Sequence, residues 1–262
     1  MKQSLSVVII TKNEEENLRN CLESIRELAD EIVIVDSNST DKTKDIALEF
    51  GAFIQVFDDW PGFGIQKNRA VSLAKNHWIL SIDSDERVTL ELAKEISLLL
   101  QTQPNFRAYE IPRKSWYCGC FIMHSGWQPD YVLRLFDRRV AQFSLELVHE
   151  RVLCSSEVGR LKSNLLHYSF QNFSQVLTKI DRYSSASAEQ LYCSNAKSSL
   201  PKAVGHGLWA FVRTYFLRLG FLDGTHGFAL AISNAEGTYY RYLKLWLMNQ
   251  QRDLCQKNSS SV

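Results

Sequence analysis

The chain has 262 residues, 45% of them hydrophobic and 23% charged, which is enough to bury a sizeable core and is ordinary for a soluble globular protein. Its net charge of +1 hides an asymmetry: residues 1–100 carry 11 Lys and Arg against 18 Asp and Glu, a net −7, while residues 101–262 carry 19 against 11, a net +8. No apolar run reaches 18 residues, the first ten residues lack the features of a signal peptide, and the six cysteines lack metal-finger spacing, so no spanning helix, a reducing cytoplasm and free thiols are expected.

Ser6–Ile10 is a compact apolar strand, followed by Thr11, Asn13 and three glutamates that open a helix with Leu18, Cys21 or Leu22, Ile25 and Leu28 on one face. Asn13 is placed as its N-cap, and Glu15 and Glu16 suit the positive end of the helix dipole. Thr11 and Glu14 lie at the strand's carboxyl end, where ligands of open α/β sheets bind. Glu31–Asp36 is the second strand, and Ser37–Asp41 leads into a helix running to about Phe50. An acid ending the second strand, Asp36, is placed to hold a nucleotide's sugar hydroxyls or to be a plain loop acid. The turn after strand one has no glycine, which argues against a nicotinamide dinucleotide.

Ala52–Phe57 is a third strand. The helix at Ile65–Lys75 opens with Gln66, Lys67, Asn68 and Arg69, cations at a helix start that favour an anion contact. The fourth strand is the stretch Trp78-Ile79-Leu80-Ser81-Ile82-Asp83-Ser84-Asp85-Glu86, a nearly unbroken apolar run that ends in three acids. Extended geometry through Ser84 would set Asp83 and Asp85 on one face, repelling each other unless one is protonated or a Mg or Mn ion lies between them; a solvated acidic turn is the alternative. A helix at Thr89–Leu100 follows.

This βαβ alternation implies an α/β fold with a mostly parallel sheet flanked by helices. Beyond residue 101 come short strands at Ala108–Ile111 and Tyr131–Phe136, an aromatic loop at Ser115–Pro129, an apolar segment at Leu165–Tyr168, and helical patterns at Phe173–Tyr192, Ala203–Leu219 and about Gly227–Leu247. The expected division is an α/β domain over 1–170 and a helical extension over 171–262. Residues 201–222 mix Trp209, Phe211, Tyr215, Phe216 and Phe221 with Lys202, Arg213 and Arg218, a composition that suits a membrane interface or packing against the first domain. No nucleic-acid recognition motif is present.

Three segments in order, Val7-Val-Ile-Ile-Thr-Lys-Asn-Glu14, Ile32-Val-Ile-Val-Asp-Ser-Asn-Ser-Thr-Asp41 and Ile79-Leu-Ser-Ile-Asp-Ser-Asp-Glu86, closely resemble family 2 nucleotide-sugar glycosyltransferases. Pro61-Gly-Phe-Gly-Ile-Gln-Lys-Asn68, Leu147-Val-His-Glu150, His167-Tyr-Ser-Phe170 and Gly220-Phe-Leu-Asp-Gly224 are similar to the bacterial lipopolysaccharide inner-core branch, the β-1,4-glucosyltransferases acting on a heptose. The resemblance implies a GT-A (Rossmann-like) fold, a UDP-sugar donor, a divalent metal (Mg or Mn) and inversion at the anomeric carbon. It implies nucleotide contacts at Thr11, Glu14, Asp36, Lys67, Arg69 and Asp83, and metal ligation at Asp83 and Asp85. The resembling fold often borrows a late histidine to complete the metal shell, here His167 in preference to His149, with a core or surface histidine as the competing reading for both. The acceptor would be an anionic lipopolysaccharide and the enzyme peripheral on the inner face of the inner membrane. The commonest Glu-Asp pair for the catalytic base is missing, so Glu150 is assigned as base, with Asp130 and Glu146 as alternatives and an ion pair of Glu150 with Arg151 or Arg160 as the competing reading. Two rival functions are a phosphohydrolase with Asp83 as nucleophile and a non-catalytic nucleotide-binding module.

Overall fold

A computed structural model describes residues 3–145 and 150–259, with side chains described as far as residue 252. The chain divides into two compact units: Met1–Lys114 with Pro129–Tyr168, and Ser115–Gln128 with Ser169–Val262.

The first unit is built on a sheet whose strands run β3-β2-β1-β4-β8-β6-β12-β5. Its parallel half is β1 (Leu5–Thr11), β2 (Glu31–Asp36), β3 (Phe53–Val56) and β4 (Trp78–Ser81). Between these strands lie α1 (Leu18–Ile25), α2 (Thr43–Glu49) and α3 (Phe63–Leu73). The strand period of two sorts the core. Leu5, Val7 and Ile9 pack with Leu18, Leu22 and Ile25 of α1 and with Leu92, Ile96 and Leu100 of α4 (Leu90–Gln101). Val8 of β1 faces the other way, joining Val33 and Val35 of β2 and Ala70 and Val71 of α3. Helices thus cover both faces of β1, β2 and β4, which explains why those strands read as nearly unbroken apolar runs, while β3 at the sheet edge is largely exposed.

The remaining strands add an antiparallel half. β5 (Glu86–Val88) pairs with β12 (Leu165–Phe170), and β8 (Tyr131–Asp137) lies between β4 and β6 (Ala108–Tyr117), antiparallel to both. β11 (Val158–Arg160) runs beside β6, and β9 (Ala141–Phe143) forms a separate ribbon with β10 (Val152–Cys154).

The second unit holds the ends of β6 and β12, the short β7 (Cys120–Phe121), α5 (Phe173–Cys193), α6 (Leu200–Val212) and α7 (Gly224–Ser259). α6 passes into a π-helical turn at Arg213–Leu217 and a 3-10 turn at Gly220–Asp223. Asp223 anchors the 115–128 excursion: its carboxylate accepts from the backbone N–H of Met123 and His124 and from Ser125 Oγ, at 2.9–3.1 Å.

Four expectations change. Asn13 is not a helix cap: it takes a left-handed φ of 55°, its Oδ1 accepts from Thr40 N, and α1 begins only at Leu18. The extended path through Ser84 is absent, because Glu86 N donates to Asp83 O and closes a turn. The expected helix Ala203–Leu219 starts three residues earlier and loses its α geometry at Arg213. β6 continues past Ile111 to Tyr117 through Pro112, so part of the expected aromatic loop is strand.

Candidate active site

The carboxyl ends of β1, β2 and β4 define one rim of the sheet. β1 and β2 end in register, Thr11 opposite Asp36. Asp36 is fully buried, and its oxygens accept from Thr11 Oγ1 at 2.8 Å, Ser39 Oγ at 2.5 Å and Ser39 N at 2.7 Å. This carboxylate therefore holds the loop after β2 against the end of β1. Glu14 N donates to Thr43 Oγ1, tying the loop after β1 to α2. Burial pushes the Glu14 carboxyl up; hydrogen bonds from Asn17 and Ser84 counter this, and the Asp85 charge adds to it, so Glu14 lies on the aspartate side of the rim.

At the end of β4, Asp83 sits between two cations. Its Oδ1 is 2.9 Å from Lys67 Nζ and its Oδ2 is 2.5 Å from Arg134 Nη2. Burial opposes ionisation here, but the Arg134 and Lys67 charges outweigh it and hold the carboxyl well below the usual carboxylate range. Lys67, 5% exposed, also reaches Glu150 Oε1 at 3.1 Å, so the sequence-distant Glu150 joins Asp83 through one shared ammonium. Arg160, one of the alternative partners of Glu150, pairs with Glu110 instead.

Behind Asp83 the network continues. Glu86 is fully buried: Oε1 accepts from Arg134 at 2.8 Å and from Arg113 at 3.3 Å, and Oε2 accepts from Asp83 N at 3.0 Å. Arg113 also pairs with Asp130 at 2.9 Å. Sequence reasoning missed Arg134, Glu86 and Arg113. The available signal was Arg134 itself, a lone cation inside the apolar strand Tyr131–Asp137, where an unpaired charge would be costly.

Asp85 has a different environment. Its Oδ2 lies 3.1 Å from His167 Nε2, and its backbone oxygen accepts from Tyr168 N at 2.8 Å. The side chains of Asp85 and His167 keep 31% and 17% exposure. β12 reaches the rim by pairing with β5, which follows the turn directly, so His167 stands opposite Glu86 in register. The repulsion expected between the aspartates is relieved by Lys67 and Arg134 at Asp83. Among the described residues no three His, Cys, Asp or Glu side chains converge as a closed ligand set. Asp85 with His167 is instead an open pair of oxygen and nitrogen donors, and that pair fits a divalent cation whose other positions are left to a ligand. Arg69 is turned to another group: it donates to Asp59 at 2.7 and 2.8 Å and lies over the Phe57 ring at 4.3 Å. Glu146 and His149 lie outside the described residues.

The sequence pattern of Glycosyl transferase family 2 matches residues 6–132. An uncharacterized glycosyltransferase of Rickettsia bellii is 31% identical over 94% of this chain and 87% of its own length. The lipopolysaccharide core biosynthesis glycosyltransferase LpsC of Rhizobium meliloti is 29% identical over 94% of this chain and 93% of its own. Residues 1–349 of Staphylococcus aureus TarS are 15% identical over 95% of this chain and 92% of that one, with a TM-score of 0.47. The α/β sheet with helices on both faces and a C-terminal helical segment is the GT-A architecture that the sequence resemblance implies. With a relative above 30% identity along nearly the whole chain and the family pattern over residues 6–132, the protein belongs to glycosyl transferase family 2 and is a glycosyltransferase.

Proposed function

We propose that the protein transfers a hexose, glucose from UDP-glucose, to a heptose of a lipopolysaccharide inner-core acceptor, with inversion and with a divalent metal. The observation that carries the reading is the grouping of Glu150, Lys67 and Asp83 beside the Asp85–His167 pair at the carboxyl rim of the sheet. The relative named for lipopolysaccharide core biosynthesis supports the acceptor class.

In this reading Glu14, Thr11 and Asp36 frame the nucleoside end of the donor, Asp36 by holding the loop that follows β2. Asp85 and His167 hold the metal, Mg or Mn, and such a cation neutralises the negative charge that grows on a departing diphosphate. Lys67 and Arg134 hold the Asp83 carboxylate in place and offset its charge. Arg69 would have to exchange Asp59 for the donor to contact it. Glu150 accepts the proton of the acceptor hydroxyl as that oxygen attacks the anomeric carbon from the face opposite the nucleotide. A phosphohydrolase reading would need a free Asp83 oxygen as nucleophile, and both are taken by cations.

An acceptor embedded in a membrane calls for a surface that sits on one. No helix among the described residues is long and apolar enough to cross a membrane. The α6 segment and the turns after it leave Leu208, Trp209, Phe216 and Leu217 more than half exposed. Phe211, Tyr215, Phe216 and Phe228 form a continuous ring cluster with centroids 5.1–6.3 Å apart. Residues 190–222 contain no acid and carry Lys197, Lys202, Arg213 and Arg218. Aromatic and cationic side chains without acids suit the interface of an anionic leaflet, so we assign the protein a peripheral place on the inner membrane's cytoplasmic face.

The test is a panel of UDP-sugars with heptose-terminated core lipopolysaccharide, with and without Mn or Mg, run on the wild type and on Glu150→Gln. Glucose transfer that needs metal, and a loss of about a hundredfold or more in kcat for Glu150→Gln, is expected for a general base. Transfer at wild-type rate by that variant would remove Glu150 from the chemistry, and no transfer with any UDP-sugar would overturn the donor assignment.

A further inference from the structure

The second unit holds an open cavity of about 330 Å³ lined by α5, α7 and the 115–128 excursion. Its size falls in the range of small-molecule sites. One wall is aromatic. Tyr117 meets Trp127 edge-on at 6.0 Å, and Trp127 lies tilted 31° to Phe170 at 6.3 Å. The facing wall is one side of α7, where Asn234, Thr238 and Arg241 recur at helical spacing.

Arg241 is the unexplained member. Its Nε is buried and makes no hydrogen bond. A desolvated donor without an acceptor is destabilising, the more so on a cation. Lys179 brings a second positive charge to the same cavity, its Nζ 4.6 Å from the Phe170 ring centre. None of the lining residues is acidic. Flat aromatic faces suit the C–H faces of a sugar ring, amide and hydroxyl side chains suit its hydroxyls, and a half-buried arginine whose buried Nε has no acceptor suits an anion on it.

We propose that this cavity binds a phosphorylated sugar unit, with the phosphate received by Arg241 and the ring lying on Trp127. The site would give the anionic glycan acceptor an attachment in the C-terminal unit, and for the acceptor's identity it rests on the function proposed above. The binding chemistry itself does not depend on that function.

The experiment is a ligand-observed NMR titration of the full chain with glucose 6-phosphate and, separately, with glucose. The variants are Arg241→Gln and Arg241→Lys, each checked for native circular dichroism and for UDP affinity. The wild type should bind the phosphorylated probe more tightly than glucose. Arg241→Gln should weaken it about tenfold, the equivalent of one charge-assisted hydrogen bond, and Arg241→Lys should recover most of the loss, with UDP affinity unchanged throughout. Equal affinity for the two probes, or undiminished binding in Arg241→Gln, would overturn the site. If glucose transfer to lipopolysaccharide fails while Arg241-dependent binding persists, the proposed function falls and the site stands. If transfer succeeds and the probe shows no dependence on Arg241, the site falls alone.

Discussion

Lys67 joins two carboxylates that lie 67 positions apart in sequence, and Arg134 joins Asp83 to Glu86 behind it. Each cation is 8% exposed or less at its side chain, so each needs its partners to be buried at all. Glu86 is the member with no exposure, and it faces the backbone of Asp83 as well as Arg134 and Arg113. Replacing it by glutamine keeps the shape and removes the charge. Glu86→Gln should lose about 3–5 kcal/mol of unfolding free energy in urea melts, the cost of stripping one partner from a buried ion pair; a loss within experimental error would show that Arg134 is compensated by other groups. The acids of this network were partly legible in the sequence. Asp83 and Asp85 announced themselves as an abrupt acidic end to an apolar strand. Their opposite environments did not, because Lys67, Arg134 and His167 come from α3, β8 and β12, and only the folded sheet brings those three to the β4 turn.

At the scale of elements, α3 presents Lys67 because of how closely its first turn approaches the chain near Glu150. Gly62 enters the helix at a φ of 112°, which favours glycine. Two residues on, a Cβ at Gly64 would stand 2.0 Å from the Ser144 carbonyl oxygen and 3.5 Å from Glu150 Cβ. Gly64→Ala should therefore push Ser144 and Glu150 away from Lys67. We expect a loss of about 1–3 kcal/mol in stability, typical of overpacking, together with reduced transfer; full activity and stability would mean that this approach does not position the base. The parallel half of the sheet was readable because apolar strands alternate with amphipathic helices there, and β1, β2 and β3 are each found within a residue of their expected bounds, while β4 stops short of its expected end. The antiparallel half was harder. β8, β6, β12 and β5 pair across long sequence separations, and the fold places β8 between β4 and β6, an order that periodicity alone does not encode. The turn at Asp83–Glu86 was misread as extended for a local reason: Glu86 Oε2 captures Asp83 N, a side-chain interaction that competes with continuation of the strand.

At the scale of the whole chain, the acidic first hundred residues and the basic remainder follow the division of labour proposed here, with a metal and nucleotide handled by acids and an anionic glycolipid met by cations. The membrane face makes this testable apart from catalysis. Full-length protein should co-sediment with vesicles containing anionic phospholipid and much less with zwitterionic ones, and Leu217→Glu should reduce the anionic partition about tenfold or more while leaving UDP binding intact. Partition indifferent to lipid charge or to Leu217 would contradict the assignment, and a mass that doubles with concentration and returns to monomer in Leu217→Glu would assign the face to a second copy of the chain. The central claim is that the Asp85–His167 pair serves sugar transfer. It is tested most directly by the rate of glucose transfer from UDP-glucose to heptose-terminated core lipopolysaccharide in Asp85→Ala. The account predicts a drop of about a thousandfold with the fold and vesicle binding preserved, in line with losing a metal's charge stabilisation; turnover equal to that of the wild type would contradict it.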